Sequence, residues 1–302
     1  MLTQKIISEC IEDHILIVSR LHRLISVVKT EVERKRDARN IVFSTYEELC
    51  SNLTKAILPP QKNQVEIFSS FSKVQYDETL SVSSTTFQRS FMGYLSPKEL
   101  QDLEQNRIES ATLWAGIRII KANIICAKNL KHLSRHEYQD LPPVFGLNKI
   151  QRDIVYNLYN VYEIWLKQDG RKWDEADRIL YILRFGNKVF SDSRYLSWQD
   201  RYFRGVENMV DEDGQPLSPF FYHKVFVDEA QDFSELDLAL FLRMSGGIRS
   251  VFLAADPAQS VEVGLKYVKK LVSPLLSILS LNGTQINDGP LFFVFIFLFL
   301  KI

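Results

Sequence analysis

The chain reads as a mixed α/β protein in which a parallel β-sheet is interrupted by a large, mostly α-helical inserted subdomain. Two observations carry this. HILIVSR (14–20), HKVFVDE (223–229) and SVFLAAD (250–256) are continuous apolar runs of the kind that strands buried on both faces require. Between the first and second of them, apolar residues recur mainly at helical spacing. With 302 residues the chain is long enough for about two domains. The expected boundaries are 1–58 for the first part of the sheet domain, 59–215 for the helical insert, 216–272 for the rest of the sheet domain, and 273–302 for an apolar tail.

After the strand at 14–20, Leu21, Leu24, Ile25, Val28 and Val32 mark an amphipathic helix that runs into the charged stretch ERKRDAR (33–39). FSTYEELCSNLTKAILPP (43–60) reads as a second helix, capped by Ser44 or Thr45, with first-turn acids Glu47 and Glu48 and a Pro59-Pro60 stop. Residues 61–95 are polar and serine-rich, which predicts loops and short helices. Ser96, Pro97 and Glu99 together spell a helix start.

Residues 110–135 contain no acid and read as one helix broken after Leu141 by Pro142-Pro143. Arg118, Lys121, Lys128, Lys131 and Arg135 share a side with Ile120, Ile124 and Ile125. The simpler reading is a partly buried helix with snorkelling bases, and the sharper one is a stripe that tracks phosphates. His132 and His136 stand one helical turn apart but lack the H-E-x-x-H pattern, so a solvated or capping pair is expected rather than a metal site. A long helix follows from about 148 to 168, with Tyr156, Tyr159, Tyr162 and Trp165 on it as core aromatics. Another begins at WDEADRILYILRF (173–185), and DEDGQPLSP (211–219) is a turn-rich linker.

Composition excludes little but narrows the setting. The 37 basic and 37 acidic side chains cancel, so any polyanion site must be a local patch. Cys10, Cys50 and Cys126 form neither a disulfide framework nor a zinc-ligand spacing. Glu9, Glu12 and Asp13 come too early for a secretory signal, so a nuclear or cytoplasmic protein is expected. LFFVFIFLFL (291–300) is about half the roughly 20 apolar residues that cross a bilayer. A membrane anchor is not the expectation; a buried terminal strand and a tail that is not native coding sequence are the alternatives.

The chemistry concentrates in residues 224–260. A strand ends in Asp228 and Glu229, and Ser234 with Asp237 has capping-box spacing before LDLALFLRM (236–244). Gly246-Gly247 closes that helix and a second strand ends in Asp256. The whole has the size of one βαβ unit. Ligands of open α/β sheets bind beyond the carboxyl ends of the strands. Asp228 can hold Mg²⁺ there beside nucleotide phosphates, Glu229 can orient or deprotonate the attacking water, and Gln259 can hydrogen-bond a terminal phosphate.

VFVDEAQDFSELD (225–237) followed by VFLAADPAQSVEVG (251–264) resembles motifs II and III of superfamily 1 helicases of the UvrD/Rep type. LIVSRLHRLISVV (16–28) looks like their motif Ia. QRDIVYNLYNVYEIWLKQDGRKWDEADR (151–178) looks like the helical insertion of a divergent eukaryotic branch that includes TPR- and ankyrin-repeat-containing helicase-like proteins. The resemblance implies a partial RecA-like sheet of the P-loop NTPase type, with ATP and Mg²⁺ as cofactors and single-stranded DNA or RNA as partner. It implies metal binding by Asp228 and base catalysis by Glu229. Gln231, Asp232, Asp256, Gln259 and Ser260 would couple nucleotide to nucleic acid, and Ser19 and Arg20 would touch the strand.

Ala255 departs from the family's glycine, and no G-x-x-x-x-G-K-[ST] phosphate loop occurs. The chain is therefore expected to be a fragment of a motor protein and a poor ATPase alone. The alternative is a helicase-like scaffold without catalysis that binds protein or RNA.

Overall fold

The computed structural model describes residues 14–35, 38, 40–57, 81–142, 146–168, 173–186, 222–245, 250–255 and 297–298. The chain divides into two compact units, residues 1–57 with 185–302, and residues 58–184. The fold is mixed α/β, as the apolar runs predict.

The first unit is built on a parallel sheet of order β2-β1-β3-β4-β5. Its strands are β1 (Ile15–Ser19), β2 (Ile41–Thr45), β3 (Lys224–Val227), β4 (Val251–Ala255) and the two-residue β5 (Phe297–Leu298). Ile17 pairs with Phe43 on one side and Phe226 on the other, and Phe226 pairs in turn with Phe252. Because side chains alternate across a strand, Ile15, Ile17, Phe226, Phe252 and Ala254 fall on one face. There they meet Ile25, Val28 and Val32 of helix α1 (His22–Lys35). Phe226 and Phe252 stack with centroids 4.6 Å apart. Leu16, Val18, Val225 and Val227 face the other way and are also fully buried. Both faces are covered, which is why these strands read as unbroken apolar runs.

The expected helix stands, capped by Thr45, and strand β2, which the sequence reading did not anticipate, leads into it. Three of the five residues in Ile41-Val42-Phe43-Ser44-Thr45 are β-branched, and β1 offers the segment a full ladder from Ile15↔Ile41 to Ser19↔Thr45. Thr45 then serves two elements. It ends β2 and caps helix α2 (Tyr46–Ala56), accepting from the Glu48 N–H at 3.2 Å while Glu48 accepts from the Thr45 N–H at 2.9 Å.

In the second unit, Ser83 caps a short helical turn (Ser84–Thr86) that passes into a π turn (Phe87–Phe91). Helix α3 (Pro97–Gln105) starts on the expected Ser96–Glu99 capping box. The region expected to be one helix is three: α4 (Ser110–Ala122), α5 (Ile124–Asn129) and α6 (Arg135–Asp140). Asn123 breaks the first from the second by turning extended (ψ 156°) and capping Ile125. Leu130 ends α5 in the left-handed region (φ 52°), and Ser134 restarts the chain with a capping box to Glu137.

Helix α7 (Lys149–Gln168) buries Tyr159, Tyr162 and Trp165 as core aromatics. Tyr162 meets Phe91 edge-on at 5.3 Å and Trp165 at 5.7 Å. Helix α8 (Glu175–Phe185) runs to the edge of this unit. Arg152 of α7 donates to the carbonyl oxygens of Gln139, Leu141 and Pro142 at 2.7 to 3.0 Å. It thereby satisfies acceptors that the end of α6 leaves open.

The basic residues of 118–135 are largely absorbed within the unit. Arg118 pairs with Asp174 at 2.9 Å, Arg135 with Asp153 at 2.9 Å, and Lys121 is fully buried against Glu163 and Asp177. A phosphate-tracking stripe is not what these three form. Among the described residues no helix is long and apolar enough to cross a membrane. Of the tail, only Phe297–Leu298 is described, paired in parallel with Ala254 and Ala255. Gly170, the linker 211–219 and Gly246-Gly247 lie outside the described residues.

Candidate functional site

All strands of the sheet are parallel, so their carboxyl ends share one edge. Ser19, Thr45, Val227 and Ala255 are the last residues of β1, β2, β3 and β4. The Asp228 N–H donates to the Val18 carbonyl oxygen at 3.0 Å, extending the ladder by one residue. That bond sets the Asp228 carboxylate just past β3, beside the end of β1.

Asp228 is half-buried. Burial first, and the neighbouring Glu229 charge second, push its carboxyl from 3.8 up to about 6. Glu229 sits in the left-handed region (φ 50°, ψ 49°), which costs a non-glycine residue about 1 kcal/mol or more. This reversal turns the chain out of β3 into a single 3₁₀ turn, Ala230–Asp232, where the Asp232 N–H donates to the Glu229 carbonyl oxygen at 2.9 Å. Helix α9 (Glu235–Met244) follows, capped by Ser234 with Asp237 in the expected box. The Ser234 N–H donates to Asp237 Oδ2 at 2.8 Å.

Asp237 does more than cap. Tyr46 Oη donates to its Oδ1, and Arg20 Nη2 approaches Oδ2 at 3.4 Å. The Arg20 guanidinium also lies 4.7 Å over the Tyr46 ring and 4.9 Å over Phe233. Phe233, Tyr46 and Phe241 pack edge to face at 5.0 to 6.0 Å. A single buried carboxylate thus ties the end of β1, the start of α2 and the start of α9 into one block beneath the acid turn.

The expected site residues therefore fall as follows. Asp228 and Glu229 share the sheet edge with Ser19, whose Oγ accepts from the Leu21 N–H at 3.2 Å and which is fully buried. Arg20 is at the same edge but is turned onto Asp237, Tyr46 and Phe233. Asp232 is exposed. Gln231 belongs to the 3₁₀ turn, but its side chain lies outside the described residues, as do Asp256, Gln259 and Ser260. Asp256 directly follows Ala255, the last residue of β4, and β4 is the parallel neighbour of β3.

Sequence reasoning missed Tyr46, and read Asp237 only as a cap. Their hydrogen bond spans 191 residues, and no local spacing announces it.

No family model matches the chain. It is similar to a curated human protein, "TPR and ankyrin repeat-containing protein 1", at 28% identity over 119 residues, 39% of this chain and 3% of that protein's length. The expected membership of the superfamily 1 helicases is corrected by these findings. No helicase family matches, and the relative's name speaks of repeats. The physical reason lies in how little the resembling boxes contain. An acid pair after a buried strand and before a helix start is favoured by sheet-edge solvation and the helix dipole in many unrelated proteins.

Proposed function

We propose that the edge formed by Ser19, Asp228 and Glu229 is a Mg²⁺–nucleotide site, and that it serves ATP hydrolysis coupled to single-stranded nucleic acid, as in a helicase or translocase. The observation that carries this reading is the Asp228 carboxyl: it stands at the end of an inner parallel strand with its titration raised to about 6 by burial and by Glu229. A carboxylate in that position favours a divalent cation, which relieves both the burial and the repulsion.

In this reading the sheet is a partial RecA-like, P-loop NTPase type of sheet. Asp228 holds Mg²⁺ directly or through water. Glu229 orients and deprotonates the attacking water. Asp256 and Gln259, which follow β4 in the sequence, are assigned to the phosphate side, and Gln231, Asp232 and Ser260 to its coupling with nucleic acid. Arg20 holds the edge rigid through Asp237. The roles of Asp228 and Glu229 rest on sheet geometry, and those of the other residues on their place in the sequence.

The test uses the 302-residue chain with a fluorescent ATP analogue and Mg²⁺, then with single-stranded DNA or RNA added. Asp228→Asn is expected to weaken Mg²⁺-dependent binding at least about tenfold, a loss of about 1.4 kcal/mol or more. Glu229→Gln is expected to keep binding and lose turnover. Equal Mg²⁺-dependent binding by wild type and Asp228→Asn would sink the proposal.

A second reading has its own observation. The sequence contains no G-x-x-x-x-G-K-[ST] loop, and hence no backbone cradle or lysine of its own for the β- and γ-phosphates. A module that binds protein or RNA without hydrolysis fits that lack. It is the reading to adopt if nucleic acid binds and nucleotide does not.

A further inference from the structure

The second unit holds a buried polar cluster that the proposed nucleotide chemistry does not use. Lys121 of α4, Glu163 of α7, and Asp174 and Asp177 at the start of α8 converge with His132, which lies between α5 and α6. The Lys121 ammonium bonds Glu163 Oε1 and Asp177 Oδ2, the latter at 3.0 Å, and stands 3.9 Å from Asp174. Burial by itself would lower its pKa. The three carboxylates outweigh burial and hold it well above the usual lysine range. Arg118 and Tyr162 occupy the two oxygens of Asp174 at 2.9 and 2.8 Å.

One pair of atoms is not accounted for by these bonds. His132 Nε2 and Asp177 Oδ1 face each other at 2.8 Å. Both atoms are shut from solvent, and neither makes a hydrogen bond of acceptable geometry. Asp177 is 2% exposed. His132 Nδ1 lies 2.8 Å from Tyr159 Oη. If Nδ1–H donates to that oxygen, Nε2 turns a bare lone pair toward a carboxylate oxygen. In that tautomer the two acceptors need a cation between or beside them, whereas in the other the Nε2 proton itself joins them.

The donor set decides which cation fits. His132, Glu163 and Asp177 each offer a ligand atom, all within 4.8 Å of one another. Two donors about 2.0–2.1 Å from one ion stand about 3.3 Å apart at the tetrahedral angle, so the His–Asp separation would open by about 0.5 Å on binding. Lys121 bonds one oxygen of Asp177 and one of Glu163, which leaves each a second oxygen. Tyr159 supplies the partner on the far ring nitrogen that metal-binding histidines require. One imidazole and two carboxylates suit a divalent first-row transition ion such as Zn²⁺. The His132 and Glu163 side chains are 15% and 20% exposed, so the cluster lies just beneath the surface of the unit.

We propose that His132, Glu163 and Asp177 form a transition-metal site of the Zn²⁺ type, tying the α5–α6 connection to α7 and α8, with Lys121 and Tyr159 orienting its ligands. This site lies in the other unit from the acid turn, so it stands or falls independently of the nucleotide reading.

The experiment is a calorimetric titration of the chelator-treated full chain with Zn²⁺ at pH 7.5, with the His132 Cε1–H resonance followed by NMR. Wild type and His136→Asn are expected to bind one equivalent at this site, with the His132 resonance saturating at the same point. His132→Gln and Glu163→Gln should bind at least about tenfold more weakly. Glu163→Gln keeps a hydrogen-bond acceptor for Lys121 and so remains a test if His132→Gln does not fold. Absence of one-equivalent binding in folded wild type would overturn the proposal, and so would binding that persists unchanged in both ligand variants. A proton would then be the cation that joins His132 to Asp177.

Discussion

Asp228→Asn should stabilise the metal-free chain while weakening its response to Mg²⁺. The Asp228 carboxyl titrates at 3.8 in the unfolded chain and at about 6 in the fold. Below 3.8 both states carry the proton. Between those values the folded chain keeps a proton that the unfolded chain has released, so stability falls as pH rises through the window. Above about 6 the folded state carries the whole cost of a buried, repelled carboxylate. The distance from 3.8 to about 6, at about 1.4 kcal/mol per pH unit, corresponds to about 3 kcal/mol.

Solvent reaches part of this half-buried side chain and screens it, so a gain of about 1–2 kcal/mol is expected for Asp228→Asn at pH 7 in EDTA. The backbone bond from residue 228 to Val18 survives the change. Mg²⁺ narrows or reverses the difference. At one hundred times its wild-type Kd, a cation bound only by the folded state adds about 2.7 kcal/mol to wild type and no more than about 1.4 kcal/mol to a variant that binds it at least tenfold more weakly. Urea denaturation at pH 4.5 to 8, with EDTA and with Mg²⁺, measures both effects. A variant less stable than wild type in EDTA at pH 7 would refute the reasoning, because Asp228 would then be a satisfied structural acid.

Proton competition at the same carboxyl should make Mg²⁺ binding about tenfold weaker at pH 5 than at pH 7, and a pH-independent titration would contradict it. Gly116→Ala should cost about 1–3 kcal/mol, because its Cβ would stand 2.7 Å from Val155 Cγ1 and 3.1 Å from Tyr138 Oη; adding Val155→Ala should return part of that loss in the same denaturation assay. Lys121→Met should destabilise by about 3–5 kcal/mol, since it strands Glu163 and Asp177 without their buried ammonium; a melting temperature within a degree of wild type would contradict this. Glu229→Gly should raise metal-free stability by up to about 1 kcal/mol by relieving a left-handed backbone, and a lower melting temperature would count against strain at that turn.

Periodicity and capping chemistry carried far along the chain. The Ser96–Glu99 and Ser234–Asp237 boxes, the helix from 149 to 168 and the three buried runs all stand where the sequence places them. These signals are local: a cap or an apolar stripe works through bonds within one turn or one face. The misses are also physical. Ile41–Thr45 became a strand because β1 supplied the ladder, and residues 110–135 broke at Asn123, which turns extended and caps the next helix, and at Leu130, which adopts the left-handed region.

The sequence by itself determined the kinds of element, their order, and the presence of an acid pair where a buried strand meets a helix start. Only the tertiary structure decided which charges face which. Arg20 turned to Asp237, 217 residues away, and Lys121 went into the core to meet acids from two other helices. His132 met Asp177 and Tyr159, while His136 paired with Asp140 on its own helix. A charge has no period to betray its partner. The strength of its contact depends on distance and burial, and both come into being only when distant segments pack together.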